Sequence, residues 1–397
     1  MKYNAWTLAL IGAGIVSLPA LAHADEHPTA LLTALSTTTI SGYVDASMQW
    51  NPGTGNQNLP LYTPNGAPSG SKAGGFNLDV ISLTISKSPG EGDWTAGYNA
   101  TLILGPDAVG FNNSYGTFPS DFSLIDTYVE LRASVGNGLD FKLGTFASPL
   151  GYEVYQTGNN PNYTRSYGYE IEPTQLTGLL MAYQVTPALS ANAGIANTWS
   201  AGINNRAFPP EGPKAESYKA YLGSLTLTAP DSMGFLSGST LSGSIVNGYN
   251  ALIPNGGAVA TSFYAGGSIK TPLKSLNLGV AFDYACLGPN QANGVGVLNE
   301  SGYQYAGALY LLWQATEKLS FNTLADYFSQ SGYLTSAGLP GASFALTESV
   351  QYDLWKNVLT RAEFRWDHAM NGSGPWGPPL PSLDNEFMLA LNVIYNF

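Results

Sequence analysis

Val358-Leu359-Thr360-Arg361-Ala362-Glu363-Phe364-Arg365-Trp366-Asp367 reads in period two. Val358, Thr360, Ala362, Phe364 and Trp366 form one row; Leu359, Arg361, Glu363, Arg365 and Asp367 form the other. Successive side chains of a strand point to opposite faces, so this segment has one apolar face and one densely charged face. The pattern recurs elsewhere. Ile40, Gly42, Val44, Ala46, Met48 and Trp50 alternate with Ser41, Tyr43, Asp45, Ser47 and Gln49. Leu276, Leu278, Val280, Phe282 and Tyr284 alternate with Asn277, Gly279, Ala281 and Asp283.

Extending this reading along the chain predicts strands at 38–50, 76–87, 94–105, 123–135, 139–148, 174–186, 188–199, 215–228, 236–249, 260–271, 275–287, 302–315, 318–329, 342–354, 358–368 and 384–397. That is sixteen, an even number; the second, sixth, eighth and ninth alternate less cleanly. Short turns follow the even strands, such as Gly136–Gly138, Pro272–Lys274 and Trp355–Asn357. Long segments rich in Gly, Pro, Asn and Ser follow odd strands, among them 51–75, 106–122, 149–173, 200–214 and 369–383. An even strand count with short turns at one end and long loops at the other is the layout of an outer-membrane barrel. The expected fold is all-β, a transmembrane antiparallel up-and-down β-barrel of about sixteen strands spanning residues 38–397.

Composition agrees. Of 397 residues, Asp, Glu, Lys and Arg make up 11%, against about 25% in a soluble domain. Hydrophobic residues reach only 44% and mean hydropathy is -0.02, which is not the profile of an oily helical membrane protein. Gly is 46, Tyr 24, Phe 16 and Trp 8, as expected of a chain with a different solvent on each face. The net charge of -12 argues against nucleic acid, whose phosphates attract Lys and Arg. A single cysteine, Cys286, allows neither an internal disulfide nor a cysteine-based zinc site.

Residues 1–24 read as a secretory signal peptide: Lys2 is basic, Trp6 to Leu21 is apolar, and Ala22-His23-Ala24 fits a cleavage site. Residues 25–37 then form a short periplasmic N-terminal segment, and the address is the outer membrane of a Gram-negative cell. Phe387, Leu389, Leu391, Val393, Tyr395 and Phe397 alternate to the last residue. A strand ending in Phe resembles the signal that the barrel-assembly machinery reads, with Tyr395 and Phe397 as its key residues. Trp50, Trp199 and Trp366 are expected at the long-loop rim, and Trp94, Trp313 and Trp355 at the other, forming aromatic girdles at the lipid headgroups.

Gly144-Thr145-Phe146-Ala147-Ser148-Pro149-Leu150-Gly151-Tyr152-Glu153-Val154 and Asn160-Pro161-Asn162-Tyr163-Thr164-Arg165-Ser166-Tyr167 resemble the central segment of the OmpL-like β-barrel porins (porin-2). The resemblance extends from about residue 38 to the C-terminus. It implies a barrel and a pore and supplies no catalytic or ligand residues. In sixteen-stranded general porins the third long loop folds inward, so 149–173, with Glu153, Arg165, Glu170 and Glu172, is the candidate constriction.

Little suggests chemistry. The histidines after the signal peptide are His27 and His368, with no metal-ligand spacing, so neither metal nor cofactor is expected. His368 beside Asp367 invites a hydrolase reading, but no serine stands out as nucleophile. On seven of the clearer strands the charges are Asp45, Asp126, Glu130, Arg132, Asp140, Lys142, Asp283, Asp326, Arg361, Glu363, Arg365, Asp367 and Glu386. All thirteen fall on the face opposite the apolar one and are the expected pore-lining residues. The nine acids outnumber the four bases, which predicts weak cation selectivity. The expected function is a porin, not an enzyme: a passive diffusion channel for small hydrophilic solutes and ions, surrounded by outer-membrane lipid. A homotrimer is the common assembly of such barrels. A structural or adhesive barrel and a barrel-borne hydrolase are the competing classes.

Overall fold

The computed structural model describes residues 38–56, 59–60, 72, 74–90, 92–108, 121–207, 218–249, 259–288, 301–331, 340–371, 374–377 and 382–397. The expected signal peptide, the 25–37 segment and His27 lie outside the described residues.

Sixteen strands close into one antiparallel barrel in which each pairs with its sequence neighbours. They are β1 (Thr39–Trp50), β2 (Gly75–Lys87), β3 (Trp94–Leu104), β4 (Phe122–Ala133), β5 (Leu139–Ala147), β6 (Gln175–Thr186), β7 (Leu189–Ala196), β8 (Ala220–Thr228), β9 (Thr240–Tyr249), β10 (Val259–Lys270), β11 (Leu276–Leu287), β12 (Gly302–Gln314), β13 (Leu319–Gln330), β14 (Ala342–Trp355), β15 (Val358–Ala369) and β16 (Asn385–Asn396). The barrel shuts where β1 meets β16, from Tyr43 opposite Asn396 to Trp50 opposite Leu389. Gly42 and Phe397 exchange both backbone hydrogen bonds at this seam, at 2.9 and 3.0 Å. Closure leaves no open sheet edge, which a lipid environment requires. The ninth strand starts four residues later than expected, because Asp231–Leu236 coils into a 3-10 turn.

The outer face is apolar, with Met48, Leu78, Leu143, Leu225, Phe282, Leu309 and Leu391 all exposed. One acid interrupts it in mid-strand. Glu348 lies on the exposed face of β14, where its carboxylate accepts from Thr323 Oγ1 at 2.9 Å.

Two bulges reset the alternation. In β2 the register shifts opposite Asp45 and Ala46, so Asp79 and Val80 both turn inward. In β4 the shift lies opposite Asn99 and Thr101, where Asp126 takes a φ of 43°. An extra residue in one strand moves everything beyond it to the other face. Inside, Phe146, Leu176, Leu180, Leu222, Val246, Tyr264 and Tyr310 form an apolar cluster with Leu150. Trp199, expected at the rim, packs against this cluster, and its Nε1 donates to Ser262 Oγ at 3.0 Å.

A closed barrel resists detergent until heated, so unboiled protein should migrate differently from boiled protein on a detergent gel; equal mobility would contradict closure. The same gel run over a temperature series tests Glu348. A charge facing lipid in mid-membrane costs roughly 2–4 kcal/mol for Arg or Lys and less for an acid. Glu348→Leu should therefore raise the unfolding temperature modestly, and a lower one would contradict a lipid-facing position.

Candidate functional site

Residues 148–174, between β5 and β6, run through the barrel interior. Seryl and tyrosyl contacts fix the near end of this third loop. Ser244 of β9 donates to the Pro149 carbonyl at 2.7 Å. Tyr152 stacks on Tyr310 of β12 at 4.2 Å and accepts from Ser268 of β10 at 3.3 Å. A five-residue helix, α1 (Tyr167–Ile171), starts at Ser166, whose Oγ accepts from the Tyr169 amide. Glu153 Oε2 accepts from the Ser166 amide at 2.8 Å and its hydroxyl at 2.6 Å, holding the two ends of the loop together.

The far side of the loop is held by the charged row of β15. Glu363 accepts from the amides of Tyr163 and Thr164 at 2.6 and 2.9 Å, from Thr164 Oγ1 at 2.6 Å and from Ser349 Oγ at 2.5 Å. Arg361 donates to the carbonyls of Thr157 and Asn160 at 2.9 and 2.6 Å. Arg365 donates to the Arg165 carbonyl at 2.5 Å and forks onto Asp367 at 2.8 and 2.9 Å. Asp367 also accepts from the Tyr167 hydroxyl at 2.6 Å, and Asp326 of β13 accepts from the Tyr167 amide at 2.8 Å. Two strands further round the same wall, the Tyr163 hydroxyl accepts from Gln49 at 2.7 Å and donates to Ser47 at 3.0 Å, which donates to Asp79 at 3.1 Å. The loop is thus tied to β1 and β2 as well as to β13–β15.

Arg165 is fully buried and turns back on its own loop, donating to the carbonyls of Tyr163 and Tyr155 at 2.9 Å each. Its guanidinium lies 5.6 Å from the centre of the Tyr169 ring. Burial pushes the Glu170 carboxyl up to about 8, against the lowering pull of Arg365 and Arg165. Glu172 reaches Asp283 of β11. Burial and this second acid raise its affinity for a proton, and the two carboxyls hydrogen-bond to each other. A carboxylate beside a second acid is harder to ionise, because the like charges repel. Glycines make the room: a Cβ at Gly168 would collide with Asp283 Oδ2 and one at Gly151 with Glu172 Oε2.

Between this loop and the short-turn end lies a chamber of about 670 Å³. Its wall includes Asp126, Tyr128, Lys142, Gln175, Thr226, Ser242, Tyr264 and Ser268, and its roof includes Glu153, Tyr155, Tyr169 and Glu172.

Residues 37–397 match the family described as putative beta-barrel porin-2, OmpL-like. The chain belongs to this family. No curated relative matches. Among solved structures, this family member is similar to the outer membrane channel DcaP of Acinetobacter baumannii, at 9% identity and a TM-score of 0.56, over 91% of this chain and 97% of that one. It is similar to the anion-selective porin from Comamonas acidovorans, at 12% identity and 0.59, over 91% and 99%. It is also similar to in-vitro folded OmpT of Vibrio cholerae, at 12% identity and 0.56, over 93% and 100%. At such identities the likeness is one of fold.

The thirteen strand charges separate into groups in this porin-2 barrel. Asp326, Arg361, Glu363, Arg365 and Asp367 bind the third loop. Arg132 forks onto Asp140 at 2.6 and 2.7 Å, and Glu130 stands opposite Lys142 in the β4–β5 register. Asp45 accepts from Asn392 and Glu386 from Asn51. Asp126 accepts from the Ala147 amide at 2.8 Å. Sequence reasoning missed Asp79, Lys72 and Asp107, a buried group in which Lys72 pairs with Asp107 and lies 3.6 Å from Asp79. A bulge hid the first, and the other two sit in loops without periodicity. The suspected dyad separates across the sheet: Asp367 is buried against Arg365, whereas His368 points the other way and meets Asn385 at 3.0 Å. Among the described residues no group of His, Cys, Asp and Glu is arranged to hold a metal ion.

Glu363→Ala leaves two buried amides without an acceptor, and hydrogen bonds to a charged group are worth about 1.5–3 kcal/mol each. The barrel should remain heat-modifiable while the loop comes loose, raising single-channel conductance and opening residues 157–167 to added protease. Wild-type conductance and protection would show that Glu363 does not hold the loop.

Proposed function

We propose that this chain is an outer-membrane porin, a passive diffusion channel for small hydrophilic solutes and ions with weak cation selectivity. The observation that carries the reading is the third loop latched inside a sixteen-stranded barrel, with a chamber of mixed polar and apolar lining beside it. A barrel of this size leaves an aqueous channel, and on this reading the inward loop narrows it. Membership of the porin-2 family and the fold shared with porins support the same reading. The separation of His368 from Asp367 gives no support to a hydrolase.

The proposed selectivity rests on the charges left to the chamber rather than on the whole lumen. Asp126, Glu153 and Glu172 face one base, Lys142. Burial and the neighbouring Asp283 favour the neutral form of Glu172, which reduces the acidic excess, and salt screens what remains beyond about 8 Å. Both effects keep the preference small. We further propose that residues 1–24 are removed on export, that 25–37 stay periplasmic, and that Tyr395 and Phe397 serve recognition by the assembly machinery. A homotrimer is the proposed assembly, on the precedent of the OmpT trimer form.

Reconstituted protein in a KCl gradient should show a reversal potential of the cation-selective sign at low salt, shrinking toward zero at high salt. Anion selectivity at low salt would overturn the charge argument, and absence of conductance would overturn the channel.

A further inference from the structure

The third loop is held to two sides of the barrel by different chemistry. On the β15 side acids meet donors: Arg365 forks onto Asp367, and Glu363 accepts from two amides. On the β11 side two acids meet each other. Glu172, just past α1, hydrogen-bonds to Asp283, and the α1 backbone at Gly168 lies against Asp283 Oδ2. The first turn of the loop, at Gly151, lies against Glu172 Oε2. The Glu172 carboxyl is thus wedged between the start of the loop and the wall.

A hydrogen bond between two carboxyls needs a proton, since an ionised carboxylate only accepts. Asp283 is buried, and its Oδ1 has no hydrogen-bond partner among the described residues. Losing the proton would leave two anions in contact with no donor between them. The surroundings would not offset this. Asp283 and Glu153 are the charged groups acting on Glu172, and Glu153 also acts on Asp283. Arg165 and Arg365 act instead on Glu153 and Glu170, and Arg365 also acts on Asp326 of β13. Tyr264 of β10 faces both carboxyls and Tyr310 of β12 faces Glu153, but phenols ionise only near about pH 10.

Burial and Asp283 hold the Glu172 carboxyl protonated well above the ordinary glutamate range. A loop end freed from the wall would lose both influences. The seated loop therefore binds this proton more tightly than the freed one. Raising the pH past the range of a freed glutamate weakens the seated state, and the loss is complete once Glu172 ionises in place.

We propose that the Glu172–Asp283 contact is a pH-sensitive catch: protonated, it seats the α1 end of the third loop against β11, and ionised, it drives that end off the wall and widens the passage. The proposal rests on the channel reading and adds a control on the channel's width. The contacts on the β15 side keep the rest of the loop in place while its α1 end moves.

Swelling of proteoliposomes in arabinose tests this, because a neutral sugar reports width and not charge. The rate should rise at least twofold between about pH 5, just above the ordinary carboxylate range, and about pH 9. Glu172→Gln and Asp283→Asn each replace the proton by an amide donor that does not titrate. Both variants, with the heat-modifiable mobility of an intact barrel, should stay at the low-pH rate throughout. Glu170→Gln should keep the wild-type rise, since Glu170, though pushed up to about 8, ionises beside two arginines. A wild-type rate that is flat or falls would overturn the catch and leave the channel standing. So would a rise that survives in both amide variants or disappears in Glu170→Gln. Ionic conductance that changes with pH while the sugar rate does not would reduce the pair to a field effect and overturn the catch as well. No flux of sugar or ions at either pH would overturn both catch and channel.

Discussion

A loop buried inside a barrel must find partners for its peptide groups there. Residues 157–167 turn their amides and carbonyls toward β15, and Arg361, Glu363 and Arg365 meet them at 2.5–2.9 Å. Buried backbone groups are nearly always paired, and within 157–167 helical partners extend only to the 3-10 turn at Thr157–Asn159 and the start of α1. Strand periodicity solves this. Every second residue of β15 points inward, so three charged side chains project as one row toward the loop. The fork from Arg365 to Asp367 keeps the guanidinium charge compensated where it is fully buried.

That use of charge changes what the interior charges can do for permeation. An arginine that is bonded to carbonyls and an aspartate does not present a free positive field, and a glutamate that accepts from two amides is shielded on the side facing the loop. Counting acids and bases on inward strand faces treats them all as exposed to the channel. The contacts show instead that the β13–β15 charges and Asp45, Glu386 and Asp79 serve packing. What remains toward the chamber is a small set near β4, β5 and the loop's underside, and the proposed selectivity rests on those few charges.

The strands were legible because lipid outside and polar contacts inside impose the same period nearly everywhere. The strands that read poorly have physical reasons. β2 carries a bulge at Asp79, and β6, β8 and β9 place Leu180, Leu222 and Val246 on the inner face, making both faces apolar. Those inner residues exist because Leu150 and Tyr152 of the third loop pack on them, a contact that no local pattern reveals. The latch was hidden for the same reason: Tyr163 and Glu363 are 200 residues apart. Its raw material was visible on both sides, as the charged row of 358–367 and as the 144–167 segment that resembles the porin-2 family. Nothing in either stretch showed that they meet. Trp199 misled because a tryptophan at a strand end suits a headgroup girdle, but here it serves the inner cluster.

The latch also divides the interior unequally. Its bonds lie on the β13–β15 and β1–β2 walls, so the loop's weight falls to that side and the space falls to the β4–β10 side. The wall there carries hydroxyls and amides that bond mostly across strands, as Asn192 does to Ser224 at 2.7 Å and Thr226 to Ser242 at 2.9 Å. Between them stand the apolar side chains of Leu180 and Phe146. Conduction needs sites that attract a solute enough for entry yet release it readily. Hydroxyls already paired with neighbours can exchange a hydrogen bond with a passing solute at small cost. Strong charge in the latch and weaker polarity around the chamber would let one barrel hold its loop firmly and, on the proposed function, release what it conducts.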